Sequence, residues 1–164
     1  VHGYAQPPEH NDGIYALTEL SSRLASEVLA DIRDEEQLQI ALRHSRAEIV
    51  LHLAAQPLVR ASYRDPVETY STNVLGLVTL FEAVRMTPGI RAMVNVTTDK
   101  CYENREWVWP YREHEALGGF DPYSASKACA EIVTASYRQS FLSGMGIALA
   151  TARAGLMIAW FRIF

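Results

Sequence analysis

Tyr123 and Lys127 stand four residues apart in the run Tyr-Ser-Ala-Ser-Lys, a spacing that puts both side chains on one face of a helix. A phenol ionises near pH ~10, so it acts as a base at neutral pH only with help. A lysine ammonium one turn along and a cationic cofactor ring both favour the phenolate; half-ionisation near pH 7 needs a lowering of about 3, worth ~4 kcal/mol. The bare pattern equally describes a tyrosine and a lysine on a solvated helix face. Upstream, Thr98 closes an apolar stretch in Asn95-Val-Thr-Thr-Asp-Lys-Cys-Tyr102. A hydroxyl at a strand end, a tyrosine at a helix start and a lysine one turn on can divide the work of a proton transfer. One orients, one abstracts and one lowers the pKa. Asp99 and Lys100 directly follow Thr98 and place an acid and an amine beside that trio.

Those residues need strands and helices to bring them together, and the pattern supplies both. Ser26–Ala30 is a short candidate strand. Asp34 is a helix cap with Gln37 three residues on and Leu38, Ala41 and Leu42 at helical spacing, predicting a helix over 34–43. Glu48–Ala54 reads as a strand covered on both faces. Asp65-Pro66 with Glu68 starts the next helix, whose apolar stripe is Val67, Tyr70, Val74, Leu77 or Val78, Phe81 and Val84; Pro88-Gly89 ends it. Ala92–Val96 is a strand, and 99–120 is a polar, aromatic loop. Asp121-Pro122 repeats the cap-plus-proline start of a helix running to about Ser143, stopped by Gly144. Ile147–Ala152 is the last strand. Alternating strands and helices with short connections predict an α/β doubly wound parallel sheet. Ligands of such sheets sit beyond the carboxyl ends of the strands, here Asp31-Ile32, Leu53–Gln56, Thr97–Lys100 and Arg153 onward.

Composition narrows the field. The chain has 164 residues, 49% hydrophobic and 21% charged, with a net charge of −4, which is one core and gives no electrostatic reason to expect nucleic acid or an anionic membrane. No apolar run approaches the ~18–20 residues of a membrane span. Cys101 and Cys129 lack CxxC spacing, and no secretory signal precedes them, so a reduced, cytosolic setting is expected. Both cysteines read better as small core residues than as nucleophiles. His2, His10, His44, His52 and His114 form no metal-ligand spacing, so no metal is expected. The chain opens on the apolar Val1-His-Gly-Tyr-Ala5, which reads like the end of a strand, and closes on Leu156-Met-Ile-Ala-Trp-Phe-Arg-Ile-Phe164 with no polar cap, so a fragment is expected.

Four stretches carry a resemblance to the extended short-chain dehydrogenase/reductases and, within them, to the CDP-glucose 4,6-dehydratase family. They are His52–Arg60, Asp65–Asn73, Val96–Trp109 and Gly118–Glu131, and the whole likeness runs from about Asp31 to Gly155, about three quarters of the chain. The resemblance implies a Rossmann-like NAD-binding domain and a nucleotide-sugar substrate, CDP-glucose, converted to its 4-keto-6-deoxy product. It also implies a place in lipopolysaccharide biosynthesis, and it leaves homo-oligomerisation of a longer parent open. It assigns Thr98, Tyr123 and Lys127 to the redox step, Asp99 to protonation of the leaving hydroxyl and Lys100 to assistance at C5. In the related dTDP-glucose enzymes a glutamate stands where Lys100 does. It assigns Asp31 and Ile32 to the adenine, Leu53, Ala54, Ala55 and Gln56 to the backbone turn along the dinucleotide, and Thr72 and Asn73 to a polar pair on the cofactor side, with Tyr123 and Lys127 also at the cofactor. Bland readings compete: Asp31 as a capping acid, the small residues as packing, Lys100 as a solvated charge, and Trp107 and Trp109 as surface packing rather than the wall of a sugar pocket. The glycine-rich phosphate turn of the superfamily is absent upstream of Asp31, and Leu156–Phe161 departs from the family's asparagine and glycine-rich continuation. The first strand-helix unit and the C-terminal sugar-binding part are therefore expected to be missing. Two rival readings remain: an epimerase or dehydrogenase of the same superfamily, which has no use for Asp99-Lys100, and a dinucleotide-sensing or scaffold protein that has lost turnover.

Overall fold

A computed structural model describes residues 1–8 and 13–155. The closing apolar run 156–164, with its departure from the family pattern, and His10 lie outside the described residues. The chain alternates short strands and helices. β1 (His2–Ala5) is followed by two single-turn helices, α1 (Ile14–Leu17) and α2 (Leu20–Arg23), and then by β2 (Ser26–Leu29) and α3 (Glu35–Ser45). β3 (Ile49–His52) leads into α4 (Val59–Arg64) and α5 (Pro66–Tyr70). A π-helical turn, Ser71–Leu75, joins α5 to α6 (Gly76–Arg85). β4 (Ala92–Thr98) runs into a 3-10 turn, Asp99–Cys101. α7 (Pro122–Tyr137), a second π-helical turn (Arg138–Leu142) and β5 (Ala148–Ala154) complete the described chain.

All strand pairs are parallel, as predicted, but they form two sheets rather than one: β1 with β2, and β3-β4-β5 with β4 central. The core lies between the three-stranded sheet and the helices, around Leu77, Phe81, Val84, Met93, Leu142 and Leu149. Ile32, Leu38 and the partly buried Tyr4 join the two-stranded sheet to it. At the crossing of α6 with the start of the β2–α3 connection, a Cβ on Gly76 would sit 2.6 Å from the Ile32 side chain, so only glycine allows this approach. No helix among the described residues is long and apolar enough to cross a membrane.

Capping chemistry governs the helix starts. The carboxylates of Asp34, Asp65 and Asp121 accept from the backbone N–H groups of Gln37, Glu68 and Ser124, and Pro66 and Pro122 open their helices. Three expectations need correction. β3 spans four residues and is not covered on both faces: Ile49, Leu51 and Leu53 are 64%, 63% and 65% exposed. The stripe through α5 holds only in its second half, where Leu77, Phe81 and Val84 are buried while Val67 is 77% exposed. The π-helical turn inserts an extra residue into the helical register, so the buried face upstream becomes Thr69, Thr72 and Asn73. At the end of the α7 segment, the left-handed backbone falls on Gly146 (φ 73°), not on Gly144, because the second π-helical turn carries the helical path to Leu142.

Candidate active site

β4 delivers Thr98 to the carboxyl end of the three-stranded sheet, where it is buried, and the chain turns at once through Asp99 and Lys100. The Thr98 hydroxyl donates to Asp99 Oδ1 at 3.0 Å and accepts from the Lys100 backbone N–H at 3.4 Å, pinning the turn to the strand end. The Lys100 ammonium lies 3.8 Å from Asp99 Oδ1, and both side chains are about half exposed. Tyr123 sits in the first turn of α7. The loop before that helix comes close: a Cβ on Gly119 would lie 2.6 Å from the backbone of Ser124 and Ala125. Burial raises the Tyr123 pKa above its ordinary 10, the neighbouring Thr98 hydroxyl lowers it, and the Asp99 and Asp121 carboxylates raise it further. Thr98, Asp99 and Tyr123 are therefore one electrostatic group. In this state the phenol ionises less readily than a free tyrosine, so forming the phenolate needs added positive charge.

Lys127, one turn further along α7, is 7% exposed and has no hydrogen-bond or ion-pair partner among the described residues. Burial pushes its ammonium down to about 8, which leaves it largely protonated at pH 7. His52 closes β3 beside it. Burial, then the Lys127 charge, pushes this imidazole down to about 4, so it is neutral at physiological pH. An ammonium on a largely buried side chain near a phenol, with no partner among the described residues, fits a ligand that brings hydroxyl or phosphate oxygens.

A chain of buried hydrogen bonds fixes the first turn of α7. Asn73 accepts from the Gln56 backbone N–H at 2.8 Å, donates to the Gln56 carbonyl at 3.1 Å and donates to Ser126 Oγ at 2.9 Å. Ser126 in turn donates to the Tyr123 carbonyl at 2.7 Å. Every polar atom of the Asn73 amide is thus committed within the protein, and Thr72 donates to Glu68. The mid-helix asparagine has the partner that its poor propensity demanded, and that partner is the loop after β3. The π-helical turn is what aims it there.

Asp31 and Ile32 lie at the carboxyl end of the other sheet. Asp31 Oδ1 accepts from the Arg33 backbone and Nε, both at 2.8 Å, and Oδ2 accepts from Arg33 Nη2 at 2.6 Å and Gln6 Nε2 at 2.8 Å. Hydrogen bonds from Arg33 hold this carboxyl well below the usual range. Arg33 Nη1 reaches across to Glu68 at 2.7 Å and Ser71 at 3.1 Å, joining the two-stranded sheet to α5 and the turn after it. Nothing in the spacing of Asp31, Arg33 and Glu68 announced that bridge. Ile32 is buried core. Leu53 and Ala54 are exposed, and Ala55 and Gln56 half-buried, after β3.

Both cysteines are free; Cys101 is buried and burial pushes its thiol up to about 11, the property of an inert core residue. Trp107 stacks on Trp109 at 5.2 Å within an aromatic series that continues through Tyr111 to Tyr102.

The model of the family described as GDP-mannose 4,6 dehydratase matches residues 13–149. The CDP-glucose 4,6-dehydratase of Salmonella typhimurium is 48% identical over 96% of this chain and 45% of its own length. A crystal structure of a dTDP-glucose 4,6-dehydratase from Streptomyces venezuelae with NAD bound superposes with a TM-score of 0.71 at 28% identity, covering 83% of this chain and 40% of that one. The UDP-glucose 4-epimerase of Thermus thermophilus, also with NAD, reaches 0.70 at 26% identity over 93% of this chain and 54% of that one. The chain thus spans about half the length of these relatives. With a parallel Rossmann-like architecture and a family model that covers most of the sequence, the chain belongs to the GDP-mannose 4,6 dehydratase family.

Proposed function

We propose that this chain supplies the NAD-side and catalytic residues of a nucleotide-sugar 4,6-dehydratase acting on CDP-glucose. The observation that carries the reading is an acid, Asp99, held within electrostatic reach of the Tyr123 phenol. An enzyme that only moves hydride has no use for that acid; one that also expels water does. The likeness to the Salmonella enzyme supports the CDP sugar, as does Lys100 in place of a glutamate.

The Lys127 ammonium, with no partner among the described residues, fits the ribose oxygens of a dinucleotide, with Tyr123 beside it. Asp31 and Ile32 would face the adenine, the backbone of Leu53–Gln56 would run along the dinucleotide, and Thr72 and Asn73 would back it. Bound there, NAD would supply reversible hydride transfer between C4 and C6 of the sugar with no net change in the cofactor. Tyr123 takes the proton of the 4-hydroxyl, with Thr98 orienting the phenol and Lys127 supplying positive charge. The 4-ketone acidifies the C5 hydrogen. Asp99 protonates the C6 hydroxyl as it leaves as water, and the Lys100 amine takes the C5 proton and returns it to C5 as hydride reaches C6. The reduced, cytosolic setting and a role in supplying 4-keto-6-deoxy sugars to lipopolysaccharide assembly belong to the same proposal.

The test is a chimera in which residues 1–164 replace the matching half of the Salmonella enzyme, assayed for 4-keto product with CDP-glucose and dTDP-glucose in parallel. Turnover of CDP-glucose that Tyr123→Phe lowers on the order of 10²–10⁴-fold is expected. Turnover surviving in that variant rejects the base assignment, and preference for the dTDP sugar rejects the substrate.

A further inference from the structure

Arg153, near the end of β5, makes three hydrogen bonds to three separate parts of the fold. It donates to the Glu131 carboxylate of α7 at 2.9 Å, to the Tyr102 hydroxyl at 2.8 Å and to the Glu113 carbonyl at 2.9 Å. The Glu131 carboxylate is 4% exposed and also accepts from Thr97 of β4 and, at 3.1 Å, from Thr151 of β5. Burial pushes Glu131 up, and Arg153 with the two threonines more than cancels this, so the pair stays ionised. The guanidinium also lies over the Tyr102 ring, 4.8 Å from its centre.

Tyr102 is the junction that gives this grip a consequence. It ends the 3-10 turn that carries Asp99 and Lys100, it pairs with Leu117 to close the base of the 102–117 loop, and its ring stacks on Tyr111 at 5.1 Å. Thr98 pins the start of the turn and Tyr102 its end, so the turn has two anchors only four residues apart. Arg153 and Asp99 line one cavity of about 590 Å³. The reading above uses neither Arg153 nor Tyr102.

We propose that Arg153 is a positioning residue: by holding Tyr102 and the 102–117 loop, it sets the Asp99-Lys100 turn beside the Tyr123 phenol. The inference rests on the roles given above to Asp99 and Tyr123. An arginine suits the task because its planar fork spreads its donors over separate nitrogens, Nη2 holding the carboxylate while Nη1 holds the hydroxyl and the carbonyl; an ammonium has three donors but gathers them at one point.

Two variants test it in the 164-residue chain. Tyr102→Phe removes one hydroxyl and keeps the ring stack; Arg153→Lys keeps a cation for Glu131 and loses the fork. The readout is the titration of the Tyr123 phenol, followed by NMR on chains with ring-¹³C tyrosine and assigned by its loss in Tyr123→Phe, with urea denaturation alongside. Thr98, Asp99 and Asp121 are the groups that act on that phenol, and of these the turn carries Asp99. Release of the turn takes Asp99 away and admits water, so the titration onset moves down by about half a pH unit or more in both variants. An unchanged onset in Tyr102→Phe overturns the proposal, whatever either variant does to stability, because a purely structural strut alters stability alone. Should Arg153→Lys fail to fold, Tyr102→Phe decides by itself. The titration needs no turnover, so a chimera that makes no product leaves this result standing, and an unmoved titration leaves the chimera assay standing.

Discussion

Substituting His52 by phenylalanine should remove most of the acid sensitivity of folding between pH 7 and pH 5. His52 is 5% exposed at the end of β3, and burial together with the Lys127 charge lowers its pKa from 6.5 to about 4. The unfolded chain takes up this proton as pH falls through about 6.5, whereas the folded chain resists it until about 4. The unfolded state therefore binds more protons across that window, and stability drops as pH drops. The two pKa values give a loss of about 2 kcal/mol between pH 7 and pH 5 and about 3 kcal/mol once both states are protonated. Carboxylates such as Glu82 and Glu131, also held below their ordinary values, add their own losses at lower pH, so pH 7 to pH 5 isolates the imidazole. The assay is urea denaturation of the wild-type chain and His52→Phe across that range, with the difference in slopes as the result. The ring is of similar size and apolar, so the variant should stay folded. Equal pH slopes in the two proteins would refute the reasoning, since they would show that the buried imidazole is not the group that takes up the proton.

Asn73→Ala should cost about 2–4 kcal/mol by thermal or urea unfolding, because it strands the Gln56 backbone and Ser126 in a buried setting; a loss below about 1 kcal/mol would show that water replaces the amide freely. Gly119→Ala should destabilise by about 1–3 kcal/mol, because its Cβ would press at 2.6 Å on backbone rather than on a flexible side chain. That variant should also disturb the Tyr123 resonances more than those of residues in β1 and β2, as chemical-shift mapping would reveal.

Much of this was legible in the residues because the signals were local. A capping carboxylate followed by proline announces a helix wherever it folds, and Asp65-Pro66 and Asp121-Pro122 did so. The nearness of Thr98 to Tyr123 followed from parallel topology, which sends strand ends and helix starts to the same side. What stayed hidden depended on register and on distant partners. Two π-helical turns shift the buried face by one residue each, and no propensity marks them, so Val67 looked like core and Thr69 did not. The α4 turn, Val59–Arg64, carries no side-chain cap to announce it. Arg33 and His52 were missed as contributors because Glu68 and Lys127 lie far along the chain, and Arg153, placed beyond a strand end, gave no sign that it holds Glu131, Tyr102 and the Glu113 carbonyl. The run Asp31-Ile32-Arg33-Asp34 holds a local Arg33–Asp31 pair but gives no sign that the guanidinium also reaches Glu68.

The separation of the strands into two sheets bears on how this polypeptide behaves in bulk. Among the described residues β3 has hydrogen-bonding groups engaged by β4 on one side only, and its neighbouring surface carries Ile49, Leu51 and Leu53 open to water. An apolar, straight edge of that kind is a template: a passing extended segment can complete its ladder and cover its aliphatic side chains in a single step. No lysine or proline lies in Ile49-Val-Leu-His52 to discourage this. The same four residues that end on His52 thus give the chain a short pairing edge, so self-association should rise with concentration and begin at β3 rather than in the core around Phe81.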